Sequence, residues 1–432
     1  MFASKNARSF KTICPLKGDE KNKFSHSVEK IKKEVPPELA HLELAELPQK
    51  YQNIWYAKQK IKKEEKEEEA KPKPKPKLKR IAQELLELEL RERELFLLKL
   101  EIVSQELFRL FIPGHPKTRL LVGEENQAEG VISKEVEGCR ALPPEGDFRD
   151  QAVRITWNAA LRSGDIRGLG EIMVIALLLN EIDLRTGNLL LNHLNQIIKI
   201  DGDWCFAKLK EKILAGSNFQ ITENEIASLP FPGNYAANNW IGIIFNGKNA
   251  VSPWDPDLST NPFIRAEVNY ALLKVLILPN LLFVRFIQHY ARAECIEIFN
   301  ELMLRKSQLS KAALKNNDFH IYLNDSEQVQ KGLLAYLEYL KTFKMTGKNF
   351  IFQEEYELEI WKNLDKLLKS KGLPSEWASS MVEKLEQSKN LNSSRSNSPL
   401  LQNRLHFQAI ASEENHEEAK AEVRSRSRSA PS

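Results

Sequence analysis

Apolar residues recur every three or four positions through 81–111, with Leu86, Leu90, Leu97, Leu100, Val103 and Leu107 on one stripe. That spacing predicts a single long amphipathic helix packed on the domain C-terminal to it. Past Phe111 the texture changes. PGHPKTRLLV (113–122) and GVISKEVEG (130–138) are short runs bounded by turn residues, the pattern of two strands of a hairpin. Residues 149–162 and 168–180 return to helical spacing, and IIKI (197–200) reads as a buried strand between polar residues. From Pro262 onward the pattern is helical, in 266–278, 282–305, 327–343, 354–370 and 375–387. The first 60 residues are polar and weakly patterned. The chain therefore divides into a polar N-terminal region with a Lys-Pro linker (1–79), a core of long helix, small lobe and candidate catalytic loop (80–260), a helical C-terminal lobe (261–389) and a disordered tail (390–432). The expected class is α+β, a small β-containing lobe beside a large helical one.

Composition narrows the function classes. At 432 residues, 42% hydrophobic and 28% charged, the chain can bury a real core, and a net charge of +4 is too small to argue for nucleic acid. Cys14, Cys139, Cys205 and Cys295 show no metal or disulfide spacing, which fits a reducing compartment. The most apolar run, 271–287, is broken by Lys274, Pro279, Asn280 and Arg285, so no membrane span is expected. The charge run and Lys-Pro repeat of 61–80 read as an extended, solvated spacer rather than a contact for lipid or RNA. The tail ends in RSRSRS, too short and too terminal to argue for RNA.

The candidate chemistry lies in EIDLRTGNLLLNHLNQIIKIDGDW (181–204). Phosphoryl transfer needs a cation on the nucleotide phosphates, a carboxylate at the attacking hydroxyl, and metal ligands bridging the phosphates. Asp183 is placed as the base. Asn188, five residues on, and Asp201, after the IIKI strand, follow the D-L-x-x-x-N … D order of a kinase catalytic loop and its metal ligand. The competing reading makes 183–188 a helix-ending turn and 201–203 a polar turn after a strand. Upstream, Lys134 stands in a short strand, as a phosphate-contacting lysine does. Glu171 is a candidate partner for Lys134 or a first-turn glutamate favoured by the helix dipole. In the PGHPKTR loop, Gly114 would allow close backbone approach, with Lys117 or Thr118 reaching a phosphate.

PKTRLLV, VISKEVEG, GLGEIMVIALLLNEIDLRTGN, KIDGDWCF and LPFPGNYAANNW together resemble the atypical kinase-like domains of effectors secreted by intracellular bacteria, the LepB-type phosphoinositide kinases among them, over about 108–240. The resemblance implies an ATP- and Mg²⁺-dependent kinase. Lys134 would hold nucleotide phosphates, Asp183 would act at the acceptor hydroxyl, and Asn188 and Asp201 would bind Mg²⁺. Three positions depart from ordinary kinases: Glu181-Ile182 stands where they carry His-Arg, Asp201-Gly202-Asp203 replaces Asp-Phe-Gly and makes Asp203 an alternative ligand, and Arg185 takes the place of the catalytic-loop lysine. A block of Glu413, Glu414, Glu417 and Glu418 is similar to type IV translocation signals, which implies a secreted effector in the host cytoplasm. Lys208, Lys210 and Lys212 come after the metal Asp where an acceptor loop would lie, and suit an anionic phosphoinositide at a membrane surface. The alternatives are a protein kinase, a kinase fold with other chemistry, and a pseudokinase scaffold binding a host protein.

Overall fold

The computed structural model describes residues 4–6, 10–15, 26–33, 54–60, 77–122, 128–143, 146–210, 220–231, 243–245, 249–251, 253–292, 295–345, 352 and 354–396. The Lys-Pro repeat, Lys212 and the glutamate block of the tail lie outside them. The fold is α+β and mostly helical.

The expected hairpin is present as β5 (Thr118–Val122) and β6 (Ala128–Lys134), antiparallel with Leu120 opposite Val131. It is the middle of a larger sheet. Strands β1 (Ser4–Asn6), β2 (Phe10–Pro15), β3 (His26–Lys33) and β4 (Ile54–Lys60) come from the N-terminal region, where the pattern predicts none, giving the order β1-β5-β6-β4-β3-β2. Only β1 on β5 is parallel within it. Lys134 pairs with Trp55 of β4.

The long helix, α1 (Lys77–Phe111), forms as predicted but splits into two environments. Leu86, Leu88 and Leu90 are exposed, whereas from Lys99 the helix is buried nearly all round, against β5 and β6 on one side and helices on others. After β7 (Arg140–Ala141), α2 (Gln151–Ser163) begins at an Asp150 cap that accepts from Ala152 N at 2.8 Å, and ends at left-handed Gly164. In α3 (Leu169–Leu178) every residue except Glu171 is buried, each large aliphatic worth about 1.5–3 kcal/mol of burial. A Cβ on Gly170 would come within 2.7 Å of Ile264 O, so glycine lets α3 lie close against α5 (Pro262–Ile277). The strands β8 (Leu189–Leu191) and β9 (Ile197–Lys199) form a hairpin beside β7. A short α4 (Glu223–Ala227) and the pair β10 (Ile243–Phe245) and β11 (Asn249–Val251) precede α5.

Helices α6 (Asn280–Ala291) and α7 (Cys295–Ala313) divide the stretch read as one segment, 282–305. No single helix among the described residues is long and apolar enough to cross a membrane; α5 and α6 meet at 88° and bury most of their apolar residues in the protein, Phe263 and Leu281 excepted. Next come α8 (Asn317–Asn324), unpredicted, and α9 (Ser326–Thr342). The chain divides into Met1–Glu357 and Leu358–Ser432, and α10 (Glu354–Ser370) runs across the division. In the second unit α11 (Glu376–Ser396) extends into the expected tail, and Trp361 meets Trp377 edge to face at 5.9 Å.

Candidate active site

The site is built where α3 ends. Arg305 of α7 donates twice to Leu177 O, at 2.6 and 3.2 Å, and Glu181 N donates to Ala176 O at 3.0 Å, which satisfies carbonyls that a helix end leaves open. The loop beyond it is anchored by buried Ile182 and Leu184, so Asp183 between them turns toward the surface with only a small part exposed. Asn188 closes the loop: its Nδ2 donates to Asp183 O at 2.8 Å and to Asp183 Oδ2 at 3.2 Å. Both partners are acceptors, so the amide nitrogen must face them and Asn188 Oδ1 points away from Asp183.

The β8–β9 hairpin then carries the chain back. Asn192 Oδ1 accepts from Leu194 N and Gln196 N, both at 2.9 Å, which shapes the turn. Ile200 N donates to Asn188 O at 2.9 Å, setting Asp201 beside the catalytic-loop candidate. Asp201 has φ 61°, a left-handed conformation that costs an L-residue about 1 kcal/mol and is best tolerated by Asn and Asp. It is held on both sides. Gln105 of α1, its oxygen toward the turn as two facing N–H groups demand, accepts from Asp201 N at 2.7 Å and Gly202 N at 2.6 Å, while Lys199 Nζ donates to Asp201 O. A Cβ on Gly202 would stand 3.1 Å from Ser104 Cβ, so the glycine between the two aspartates is what lets the turn approach α1.

Asp183, Arg185, Asn188, Asp201 and Asp203 are thus brought together. Arg185 Nε lies 3.4 Å from Asp183 Oδ2. The Asp183 carboxyl is pushed up to about 6, chiefly by burial, with the charges of Glu181 and Asp203 adding to the rise and Arg185 and the Asn188 hydrogen bond opposing it. A carboxylate with that proton affinity is suited to accepting a proton near neutral pH. Asn188, Asp201 and Asp203 carry oxygen atoms of the type that Mg²⁺ takes as ligands. Among the described residues no group of three or more His, Cys, Asp or Glu side chains is placed to hold a metal ion.

The cations are arranged differently from expectation. Lys134 N donates to Lys117 O at 2.8 Å, so the two lysines stand opposite each other at one end of β5–β6. Burial and then the charges of Arg119 and Arg109 push Lys117 down to about 8, with Glu106 opposing and Lys134 lowering it further. Two residues before Lys117, His115 Nε2 accepts from Lys199 N at 3.0 Å, which seats this end of the sheet against β9. Gly114 does not stand open for a phosphate: its Cβ position faces Gln196 and Asn192 of the hairpin turn. Glu171 is not the partner of Lys134. It binds the ammonium of Lys274, which also donates to Phe111 O at 2.7 Å, because a lysine buried in α5 needs a carboxylate more than one at the sheet margin does.

The acceptor-loop expectation also changes. Lys210 is buried, and Lys208 lies 3.5 Å from Glu301 of α7, because the turn Ala207–Lys210 packs on that helix. Neither stands as a free surface cation.

Sequence reasoning passed over Gln105, His115 and Lys199. Only Lys199 left a signal, a charge at the end of a strand otherwise wholly apolar and buried. No protein-family model matches this chain, and comparison with curated proteins finds no relative.

Proposed function

We propose that this chain is an ATP- and Mg²⁺-dependent phosphotransferase with Asp183 at the acceptor hydroxyl. The observation that carries the reading is the convergence of Asp183, Asn188 and Asp201 through the Ile200–Asn188 backbone bond. Asp183 accepts the hydroxyl proton as the acceptor oxygen bonds to the γ-phosphorus of ATP and the bond from that phosphorus to the β–γ bridging oxygen breaks, releasing ADP, and Arg185 beside it offers a cation to the transferred group. Asn188 with Asp201 and Asp203 would hold Mg²⁺, which when bound neutralises phosphate charge. Lys134 and Lys117, at the sheet end seated on β9, would address the nucleotide phosphates.

The acceptor we propose is a phosphoinositide headgroup, with the protein peripheral to a host membrane as a secreted effector. The support is the resemblance of 108–240 to kinase-like effector domains. A protein hydroxyl is the second reading, favoured because Lys210 is buried and Lys208, half exposed, is paired with Glu301. The test is purified protein with labelled ATP and Mg²⁺ against a lipid panel and a protein panel. Asp183→Ala is expected to lower transfer by about 10²–10⁴-fold with its fold intact. Near-normal transfer by that variant would sink the assignment, and label on protein alone would select the second reading.

A further inference from the structure

Behind the two loops lies a contact set that the phosphoryl-transfer reading does not use. Glu181 is wholly buried, and its two oxygens are divided between two elements. Oε1 accepts from Asp183 N at 2.9 Å. Oε2 lies 2.8 Å from Lys199 Nζ and accepts from Cys205 Sγ at 3.1 Å. Lys199, equally buried, donates onward to Ile200 O at 3.1 Å and to Asp201 O. One carboxylate and one ammonium therefore join the amide of Asp183 to the carbonyl of Asp201.

Burying two ions costs several kcal/mol each, and an apolar pair of similar volume fills a core as well or better. A pair serving only the core would need no bond to these two backbone groups. Here each ion, besides its contact with Cys205 Sγ or Ile200 O, bonds a backbone group of an acting residue, and the lysine holds the carbonyl of a residue in a left-handed conformation. We propose that Glu181 and Lys199 are positioning residues, a buried strut that sets Asp183 and Asp201 at a fixed separation. The inference rests on the reading of those two aspartates as base and metal ligand. Misplacing reacting groups by about 1 Å costs on the order of 10²-fold in rate, so a strut of this kind acts on turnover rather than on binding.

The test uses the full chain as wild type, Lys199→Met, Glu181→Gln and the double variant Glu181→Gln/Lys199→Met, which leaves no buried unpaired charge. Amide hydrogen exchange is measured in peptides covering 181–188, 200–206 and α5. Lys199→Met is expected to speed exchange in 181–188, and Glu181→Gln in 200–206, by about tenfold or more while α5 keeps its wild-type rate. In turnover with ATP, kcat is expected to fall about 10²-fold with KM for ATP within about threefold, and the double variant to keep that loss although its stability recovers. Exchange that is unchanged across the pair, or that rises equally in α5, overturns the strut, as does a double variant with wild-type kcat. If wild-type protein transfers no phosphoryl group, the proposed function fails, and the exchange measurements alone decide whether the two loops are coupled.

Discussion

Two carboxylate–lysine pairs with buried lysines stand at the two ends of α3, and they teach opposite things about the same chemistry. Glu171–Lys274 sits at the start of the helix and reaches the end of α1 through Phe111 O. Glu181–Lys199 sits just past its end and reaches Asp183 N and Asp201 O. In both, burial is the largest influence on the lysine and favours its neutral form. For Lys274 burial prevails and its proton affinity is lowered, with Glu171 and the more distant Glu267 opposing. For Lys199 the charges around it, Glu181 first, then Cys205 and Asp201, outweigh burial and hold it above its ordinary value. What else the pair binds decides whether it serves the scaffold or the site.

The comparison can be broken most directly by removing each lysine. Lys199→Met strands a carboxylate with no solvent exposure, and the expected loss is about 3–5 kcal/mol in denaturant unfolding. Lys274→Met strands Glu171, which keeps a small exposed edge, so a smaller loss, about 1–3 kcal/mol, is expected with turnover per folded molecule unchanged. Equal losses, or a turnover defect in Lys274→Met, would erase the distinction. Gly202→Ala probes the α1 side of the strut turn, where the added methyl meets Ser104 and Gln105 at 3.1–3.2 Å; about 1–3 kcal/mol should be lost. A variant as stable as wild type would show that α1 can yield.

His115 reports on both pairs at once. Burial, then Lys199, then Lys274 push its proton affinity down to about 3, against an ordinary value of 6.5. The folded protein thus holds it neutral where the unfolded chain would protonate it. Its contribution is complete above 6.5 and is lost as pH falls from 6.5 toward 3, at up to about 1.4 kcal/mol per pH unit. Stability curves of wild type and His115→Gln that stay parallel over that window would refute this. The smallest effect belongs to Lys208→Ala. Its side chain is half exposed and its partner Glu301 lies 3.5 Å away, so the change should stay within about 1 kcal/mol. A larger loss would mean that the turn on α7 carries more of the fold than the two buried pairs suggest.

Local pattern was enough to reveal α1, the β5–β6 hairpin, α3 and β9, because each writes its own period into neighbouring residues. The order of Asp183, Asn188 and Asp201 along the chain was equally legible, and a short loop and a tight hairpin bring their backbones close, with Asn188 bonded to Asp183 and Ile200 N to Asn188 O. Strands β1–β4 were not legible: β1 and β3 are mostly polar, β2 and β4 are short runs interrupted by lysines, and the sheet they join is completed by β1 and β4 pairing with a hairpin far along the chain. Nor could sequence assign partners. Glu171 went to Lys274 rather than Lys134, Lys210 went inside, and Lys199 became the other half of Glu181. Sequence determined which groups carry charge and roughly where elements run. Tertiary structure decided which charges lose their water, and a charge that loses its water binds whatever opposite group the packing places beside it.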